Sequence, residues 1–342
     1  MSPASSSDRE PLAAIFGLAG TELSATEREF FRERDPLGFI LFQRNCDSPD
    51  QVRGLVANLR ACIGRDDAPV LIDQEGGRVA RLRPPHWPEY PAASRFAGTA
   101  APREAAFLGA RIIADDLAAL GITVDCAPVL DLPIAGADAI IGDRAYGNDP
   151  ASVASLGRAA CEGFLAGGVL PIVKHIPGHG RARVDSHQAL PVVDEPVALL
   201  AAADFAPFHA LRDMPWAMTA HIVYSAIDSE RPATLSPRLI GETIRASIGF
   251  GGVLISDDLS MRALPGGLAG RASGALAAGC DLVLHCNGTM SDMIEIADAI
   301  DPVSQATQAR LAAAELLRLR SKKHFDRAAA ETRFAALLQG VA

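Results

Sequence analysis

One lysine and three histidines lie close together in a short part of the sequence. Lys174–Gly180 supplies the lysine and two of the histidines, and the third, His187, follows two residues after Asp185. Residues i and i+2 of an extended segment point the same way, so Asp185 can hold the ring of His187 and stabilise its protonated form. A histidine with an ordinary pKa of about 6.5 suits a group that donates and then accepts a proton near neutral pH. This spacing indicates acid–base chemistry.

Other polar residues also stand at the ends of apolar runs. Short apolar runs without alternation of apolar and polar residues are typical of parallel strands buried on both faces. The ends of such strands meet on one face of a barrel, so we expect their polar residues to form one site. These residues are Asp73, Asp131, Lys174, His175, His221, Asp257, Asp258 and His285.

Helical patterns alternate with the apolar runs. Ser24 and Glu27 form a capping box that predicts a helix to about Arg34, and Ser48 followed by Pro49 predicts another helix start. Further helices are predicted over 102–120, 150–166, 196–211 and 268–278, and a fourth strand over 121–130. Ser236 is expected to cap one more helix.

Eight βα units over roughly 300 residues predict an α/β fold, a (β/α)8 TIM-type barrel. We expect residues 1–342 to form a single domain, with C-terminal helices from about 303 to 342 packed on the barrel. An open, doubly wound sheet is the alternative. The first strand is not followed by G-x-G-x-x-G, which weakens a dinucleotide-binding interpretation.

Composition narrows the classes of function. The net charge is −9 with scattered Lys and Arg, which argues against broad nucleic-acid binding. Six cysteines without a C-x-x-C pair are typical of buried thiols in a reducing compartment. The first residues lack the features of a secretory signal, and no apolar run reaches about 18 residues. We therefore expect a cytoplasmic protein without a membrane span.

Several chemistries remain open for such a site. H-E-x-x-H and a strand-borne H-x-H are absent, so we expect no metal, although candidate ligands exist in His175, His179, His187, Asp73 and Asp257. No G-x-S-x-G elbow supports a nucleophilic serine. Glycoside hydrolysis needs a carboxylate at the anomeric carbon and an acid for the leaving oxygen. Asp257 or Asp258 can supply the first, and strand parity alone does not choose between them.

Four segments together resemble the glycoside hydrolase family 3 β-N-acetylhexosaminidases, in particular the single-domain bacterial type of peptidoglycan recycling. The resemblance covers nearly the whole chain in order, with Gly38–Asn45 and Met218–Tyr224 as further matches. The four segments are Asp73–Arg81, Lys174–Gly180, Asp185–His187 and Ser256–Met261.

The resemblance implies a retaining, two-step mechanism without a metal or another cofactor. It assigns the nucleophile to Asp257 and the acid/base to His187, paired with Asp185 on a loop over 176–193. We expect this loop to be mobile and to close over bound sugar. The resemblance also implies that five residues contact the sugar, namely Asp73, Arg81, Arg144, Lys174 and His175.

The implied activity is exo-acting removal of terminal GlcNAc from muropeptides that carry GlcNAc-1,6-anhydro-MurNAc. The expected partner is this small sugar substrate, with no nucleic acid and no membrane, and we expect a monomer. A phosphorylase of the same family is an alternative, because a histidine acid/base repels phosphate less than a carboxylate does. A non-catalytic sugar-binding barrel and a metal-dependent hydrolase are two further hypotheses.

Overall fold

Eight short, buried strands pair in parallel and close into a barrel in the computed structural model, which describes residues 10–186 and 189–339. Around the barrel the order is β1, β2, β3, β4, β5, β7, β9 and β10, while β6 and β8 form a separate pair. The strands are β1 (Leu12–Phe16), β2 (Pro36–Leu41), β3 (Val70–Ile72), β4 (Val124–Asp125), β5 (Leu170–Ile176), β6 (Val192–Val193), β7 (Trp216–Thr219), β8 (Val223–Tyr224), β9 (Val253–Asp258) and β10 (Leu282–His285). The predicted TIM-type barrel is confirmed.

Both faces of the barrel wall are buried, which explains the continuous apolar runs. In β9, Val253 and Ile255 pack in the cluster inside the barrel, whereas Leu254 packs in the outer cluster under the helices. Since side chains alternate along a strand, this register fixes which strand-end residues face the barrel axis.

The helices form the outer layer. Ser24 accepts from the Glu27 amide and Glu27 bonds back, so the predicted capping box is confirmed. Ser48 likewise caps the second helix. In the described residues the α-helices are α1 (Ala25–Arg34), α2 (Pro49–Ile63), α3 (Pro102–Ala119), α4 (Pro150–Ala166), α5 (Val197–Ala202), α6 (Ala206–Ala210), α7 (Leu268–Ala278), α8 (Met290–Ala297), α9 (Gln305–Ser321) and α10 (Arg327–Leu338). A π-helix spans Leu239–Ser247, and the Ser236 hydroxyl accepts from its first amide, as predicted.

Two elements differ from the sequence prediction. The predicted helix 196–211 is two helices, α5 and α6, because Asp204 between them is buried and paired with Arg181 at 2.7 Å. The fourth strand is a two-residue ladder, β4, where ten residues were predicted. Pro128 has no amide to donate, and pairing resumes only at the bridge between Val129 and Lys174.

The C-terminal helices pack on the barrel's helical layer. α10 contacts α3, and α9 contacts α4 and β9. The rings of Phe334 and Phe96 lie 6.0 Å apart across the first of these contacts. That all 342 residues form one domain remains a prediction. Across residues 10–186 and 189–339, no helix combines the length and hydropathy that crossing a membrane would require.

Candidate active site

A cavity of about 340 Å³ opens at the carboxyl ends of the barrel strands. All five residues that were expected to contact sugar line it, together with Asp257 and Asp258. An apolar part of its wall comes from three strands, through Ile40 of β2, Met218 of β7, and Leu284 and Cys286 in and just after β10. The volume lies within the ordinary range of small-molecule sites, which is about 300 to 1,000 Å³.

A chain of alternating charges forms one wall of the cavity. Lys174 Nζ lies 3.0 Å from Asp73 Oδ1 and 2.6 Å from Glu75 Oε1. Arg81 donates to Asp73 at 2.9 Å, and Arg144 donates to both oxygens of Glu75 at 2.8 Å. Each carboxylate is thus held between two cations, and both arginines are fixed with guanidinium N–H groups near the cavity.

These contacts decide the charge states. Burial alone would raise the pKa of Asp73, but Lys174 and Arg81 outweigh it and hold that pKa below its ordinary value. For Glu75, burial is likewise outweighed by Lys174 and Arg144, and the pKa falls to about 2. Burial would lower the pKa of Lys174, yet the two carboxylates raise it. All of these groups are therefore ionised at neutral pH.

Glu75 is a residue that the sequence interpretation did not select. It stands two residues after Asp73, and this i, i+2 spacing was the available signal that both point to the same side. Its role depends on Arg144, which is 69 residues away in the chain. No local pattern predicts such a contact.

Gln74, between the two acids, fixes the hairpin that carries Arg81. Its side-chain oxygen accepts from the backbone amides of Arg81 and Leu82 at 2.8 and 3.0 Å. The backbone amide of Gln74 donates to Asp125 Oδ1 at 2.9 Å. Asp125 is fully buried and its second oxygen has no partner in the described part of the chain. Burial raises the pKa of Asp125 to about 8.

Asp131 organises the two histidines of the first motif. It bonds His175 Nδ1 at 2.6 Å and accepts from the His175 amide at 3.2 Å and the His179 amide at 2.6 Å. Burial alone would raise the pKa of Asp131, but His175 and His179 hold it below its ordinary value. With Nδ1 bonded to a carboxylate, the other nitrogen of His175 is left for the cavity that this residue lines.

The two adjacent acids at the end of β9 have different surroundings. Asp258 accepts from the amides of Cys286 and Ser260 at 3.1 Å and from the Ser260 hydroxyl at 2.5 Å. Asp257 is in phase with Val253 and Ile255, so it faces the barrel axis. Among the described residues, its carboxylate accepts one hydrogen bond, from the Asp258 amide at 2.8 Å.

The surroundings of Asp257 also favour its ionised form. Burial alone would raise its pKa, but the nearby imidazoles of His175 and His221, with the Asp258 amide and Lys174, hold it below the ordinary value. A carboxylate that is ionised, faces a cavity and is little engaged by protein donors can act as a nucleophile or stabilise a cation.

The remaining strand-end histidines do not line the cavity. His221 bonds Thr234 at 2.7 Å and the Asp258 carbonyl at 3.1 Å, so it supports the wall behind the acids. His285 is buried outside the barrel axis, 3.9 Å from Asp292. Of the expected dyad, Asp185 is described, whereas His187 lies outside the described residues.

Residues 10–186 and 189–339 hold no group of three or more His, Cys, Asp or Glu arranged to bind a metal ion. The six cysteines are free thiols, and all except Cys46 are buried.

Comparison with known proteins shows the family to which the chain belongs. Residues 14–319 match the family model described as the glycosyl hydrolase family 3 N terminal domain. The chain is 39% identical over 311 residues to a beta-hexosaminidase of Methylococcus capsulatus, covering 87% of this chain and 90% of that protein. It is 38% identical to a Pseudomonas aeruginosa beta-hexosaminidase, covering 83% and 85%.

A solved structure of NagZ from Neisseria gonorrhoeae, in complex with N-trifluoroacetyl-D-glucosamine, is similar throughout. It superposes with a TM-score of 0.85 at 32% identity, over 96% of this chain and 99% of that one. A glycoside hydrolase family 3 beta-N-acetylglucosaminidase from a Paenibacillus species superposes with a TM-score of 0.83 at 32% identity, over 94% of this chain and 66% of that one.

Proposed function

The chain belongs to glycosyl hydrolase family 3 and is a β-N-acetylhexosaminidase, and on this premise we propose a narrower activity. It is an exo-acting, retaining β-N-acetylglucosaminidase that removes terminal GlcNAc from muropeptide fragments. The observation that carries the mechanism is the inward-facing, ionised Asp257 beside the wall of fixed cations. The N-acylated sugar of this substrate is supported by the beta-hexosaminidase relatives and by a NagZ structure in complex with N-trifluoroacetyl-D-glucosamine. The muropeptide part follows from the resemblance of the motifs.

In the first step Asp257 attacks the anomeric carbon, and the bond from that carbon to the leaving oxygen breaks. His187, kept protonated by Asp185, gives its proton to the leaving oxygen, so the aglycone departs as a neutral alcohol. The sugar is then bound to Asp257 as an ester. This step needs a carboxylate that is ionised at neutral pH and free to form a bond.

In the second step a water molecule attacks the anomeric carbon from the side that the aglycone left. His187 accepts a proton from this water, and the ester bond to Asp257 breaks. GlcNAc leaves with the configuration of the substrate, and both groups return to their starting protonation states. Neither step requires a metal.

The charged wall binds the sugar in this proposal. Arg81 and Arg144 are fixed by carboxylates and present donors to hydroxyl or N-acyl oxygens. Asp73 and His175 offer acceptors to sugar hydroxyls, with the tautomer of His175 set by Asp131. Lys174 keeps both neighbouring carboxylates ionised.

Trapping with a 2-fluoro or 5-fluoro GlcNAc-type glycoside, followed by peptide mapping, tests the reaction class and the nucleophile together. We expect one sugar per chain on the peptide that contains Asp257. A label on another carboxylate would refute the assignment, and the absence of any label would refute the covalent mechanism.

Three further measurements test the substrate, the acceptor and the metal. The enzyme should release GlcNAc faster from GlcNAc-1,6-anhydro-MurNAc peptides than from long glycan chains, in which most GlcNAc residues are internal. Product analysis with and without phosphate separates hydrolysis from phosphorolysis. Activity that survives a chelator would remove the metal-dependent hypothesis. A cytoplasmic location and a monomeric state remain predictions from the sequence.

A further inference from the structure

Ser186 carries a buried hydroxyl beside the cavity that the proposed mechanism does not use. It is 2% exposed, it lines the cavity, and in the sequence it stands between Asp185 and His187. Its Oγ lies 2.9 Å from Nε2 of His179, and its carbonyl accepts from the amide of Ala263 at 3.2 Å. Ser186 is therefore attached both to an earlier residue of its own loop, His179, and to the loop after β9, through Ala263.

His179 is itself rigidly attached to the site. Its amide donates to Asp131 at 2.6 Å, and Asp131 also bonds the ring of His175. The His179 and His175 rings meet edge to face with centroids 5.4 Å apart. Burial, together with the neighbouring imidazole of His175, lowers the pKa of His179 to about 4, against opposing effects of Asp131 and Asp257. The ring can therefore bond Ser186 at neutral pH without adding a charge to the cavity.

We propose that His179 and Ser186 are positioning residues for the acid/base segment of this enzyme. The inference rests on the proposed function, in which His187 protonates the leaving oxygen. The hydroxyl–imidazole bond fixes the backbone one residue before His187. General acid catalysis needs the donor within about 3 Å of the proton acceptor, so a looser segment weakens proton transfer more than it weakens sugar binding.

The test uses aryl β-N-acetylglucosaminides whose leaving groups range from 2,4-dinitrophenol to phenol. Ser186→Ala should lower kcat/KM about tenfold for the phenyl glycoside and about twofold or less for the dinitrophenyl glycoside, because a good leaving group needs little protonation. KM should change little. Ser225→Ala is the matched control, since its half-buried hydroxyl donates to the Val193 carbonyl outside the cavity. It should keep wild-type values on every substrate.

The partner residue gives a second, independent readout. His179→Leu should reproduce the leaving-group dependence of Ser186→Ala, and the double variant should be no worse than His179→Leu, because both changes remove the same bond. His179→Gln should recover most of the activity, since its amide nitrogen can reach the position of Nε2. If His179→Leu fails to fold, the result for Ser186→Ala tests the positioning role by itself, because that change removes one oxygen atom and should leave the fold intact.

The outcomes separate this inference from the proposed function. A Ser186→Ala loss that is equal on all leaving groups, or additive losses in the double variant, would overturn the positioning role. His187→Ala is measured alongside. If it shows no leaving-group dependence, the proposed acid/base role fails and the inference fails with it. If it shows dependence while Ser186→Ala does not, only the positioning role is lost.

Discussion

The two adjacent acids at the end of β9 should separate catalysis from stability. Both acids line the cavity, but Asp257 accepts one hydrogen bond, whereas Asp258 accepts three, two of them from backbone amides. Asp257→Ala should therefore abolish turnover and leave the fold unchanged. Asp258→Ala should retain the chemistry and destabilise the protein.

The expected magnitudes follow from these contacts. Loss of the nucleophile should lower kcat/KM by about 10⁴-fold or more, equivalent to about 5.4 kcal/mol of transition-state stabilisation at 1.36 kcal/mol per decade. The free energy of unfolding of Asp257→Ala should stay within about 1 kcal/mol of the wild type, since one modest hydrogen bond is lost. Asp258→Ala loses three bonds at about 1 kcal/mol each, so about 3 kcal/mol of stability should be lost.

Two assays measure the two quantities. Initial rates with 4-nitrophenyl β-N-acetylglucosaminide give kcat/KM, and urea unfolding gives the free energy of unfolding. An active Asp257→Ala together with a folded but inactive Asp258→Ala would refute the reasoning from strand parity.

The remaining predictions concern the charged wall and its support. Arg81→Ala should lower kcat/KM with little change in Tm, because the Arg81 side chain is 26% exposed and Asp73 retains its ion pair with Lys174. Arg144→Ala should lower both kcat/KM and Tm, because it leaves the buried carboxylate of Glu75 paired with one cation, Lys174. The free energy of unfolding, measured by thermal or urea unfolding, should fall by about 3 kcal/mol or more. The pKa of Glu75 is lowered in the folded state, so its contribution to stability is present above the unfolded pKa near 4.5 and is lost as the pH falls towards about 2. Glu75→Gln should thus flatten the decline of the unfolding free energy between pH 5 and 3, and an unchanged slope would contradict this. The pKa of Asp125 is raised to about 8, so in the wild type it costs stability increasingly as the pH rises from about 4 to 8. Asp125→Asn keeps the acceptor for the Gln74 amide and should gain stability relative to the wild type over that interval; a constant difference across pH would contradict the shift.

Local sequence patterns determined most of the secondary structure. The capping box at Ser24, the cap at Ser48 and the helices 150–166 and 268–278 were predicted with bounds that the structure reproduces. Caps and helical periodicity depend on residues three or four apart, which the chain brings together whatever the fold. The convergence of Asp73, Lys174, His175, Asp257 and Asp258 on one cavity also followed from sequence, because a parallel barrel gathers all strand ends on one face. His221 and His285 were expected there too, but they do not line the cavity.

Tertiary contacts decided what local patterns left open. The break between α5 and α6 depends on Asp204 pairing with Arg181, and the short β4 depends on where its neighbours offer partners. Pro128 and Pro207 are signals inside the two segments, whereas the pairing of Arg181 with Asp204 joins residues 23 positions apart. Residue propensities predicted a longer helix and a longer strand than the long-range hydrogen bonds of the folded chain allow.

The candidate site divides in the same way. The sequence by itself determined which residue types stand at the strand ends, and motif resemblance gave them proposed roles. Only the tertiary structure decided that Asp257 faces inward, because side-chain parity needs a fixed register relative to the core. It also joined Lys174 to Asp73, 101 residues apart, and brought Glu75 into the same network. Those charge states come from distances across the closed barrel, which no sequence spacing encodes.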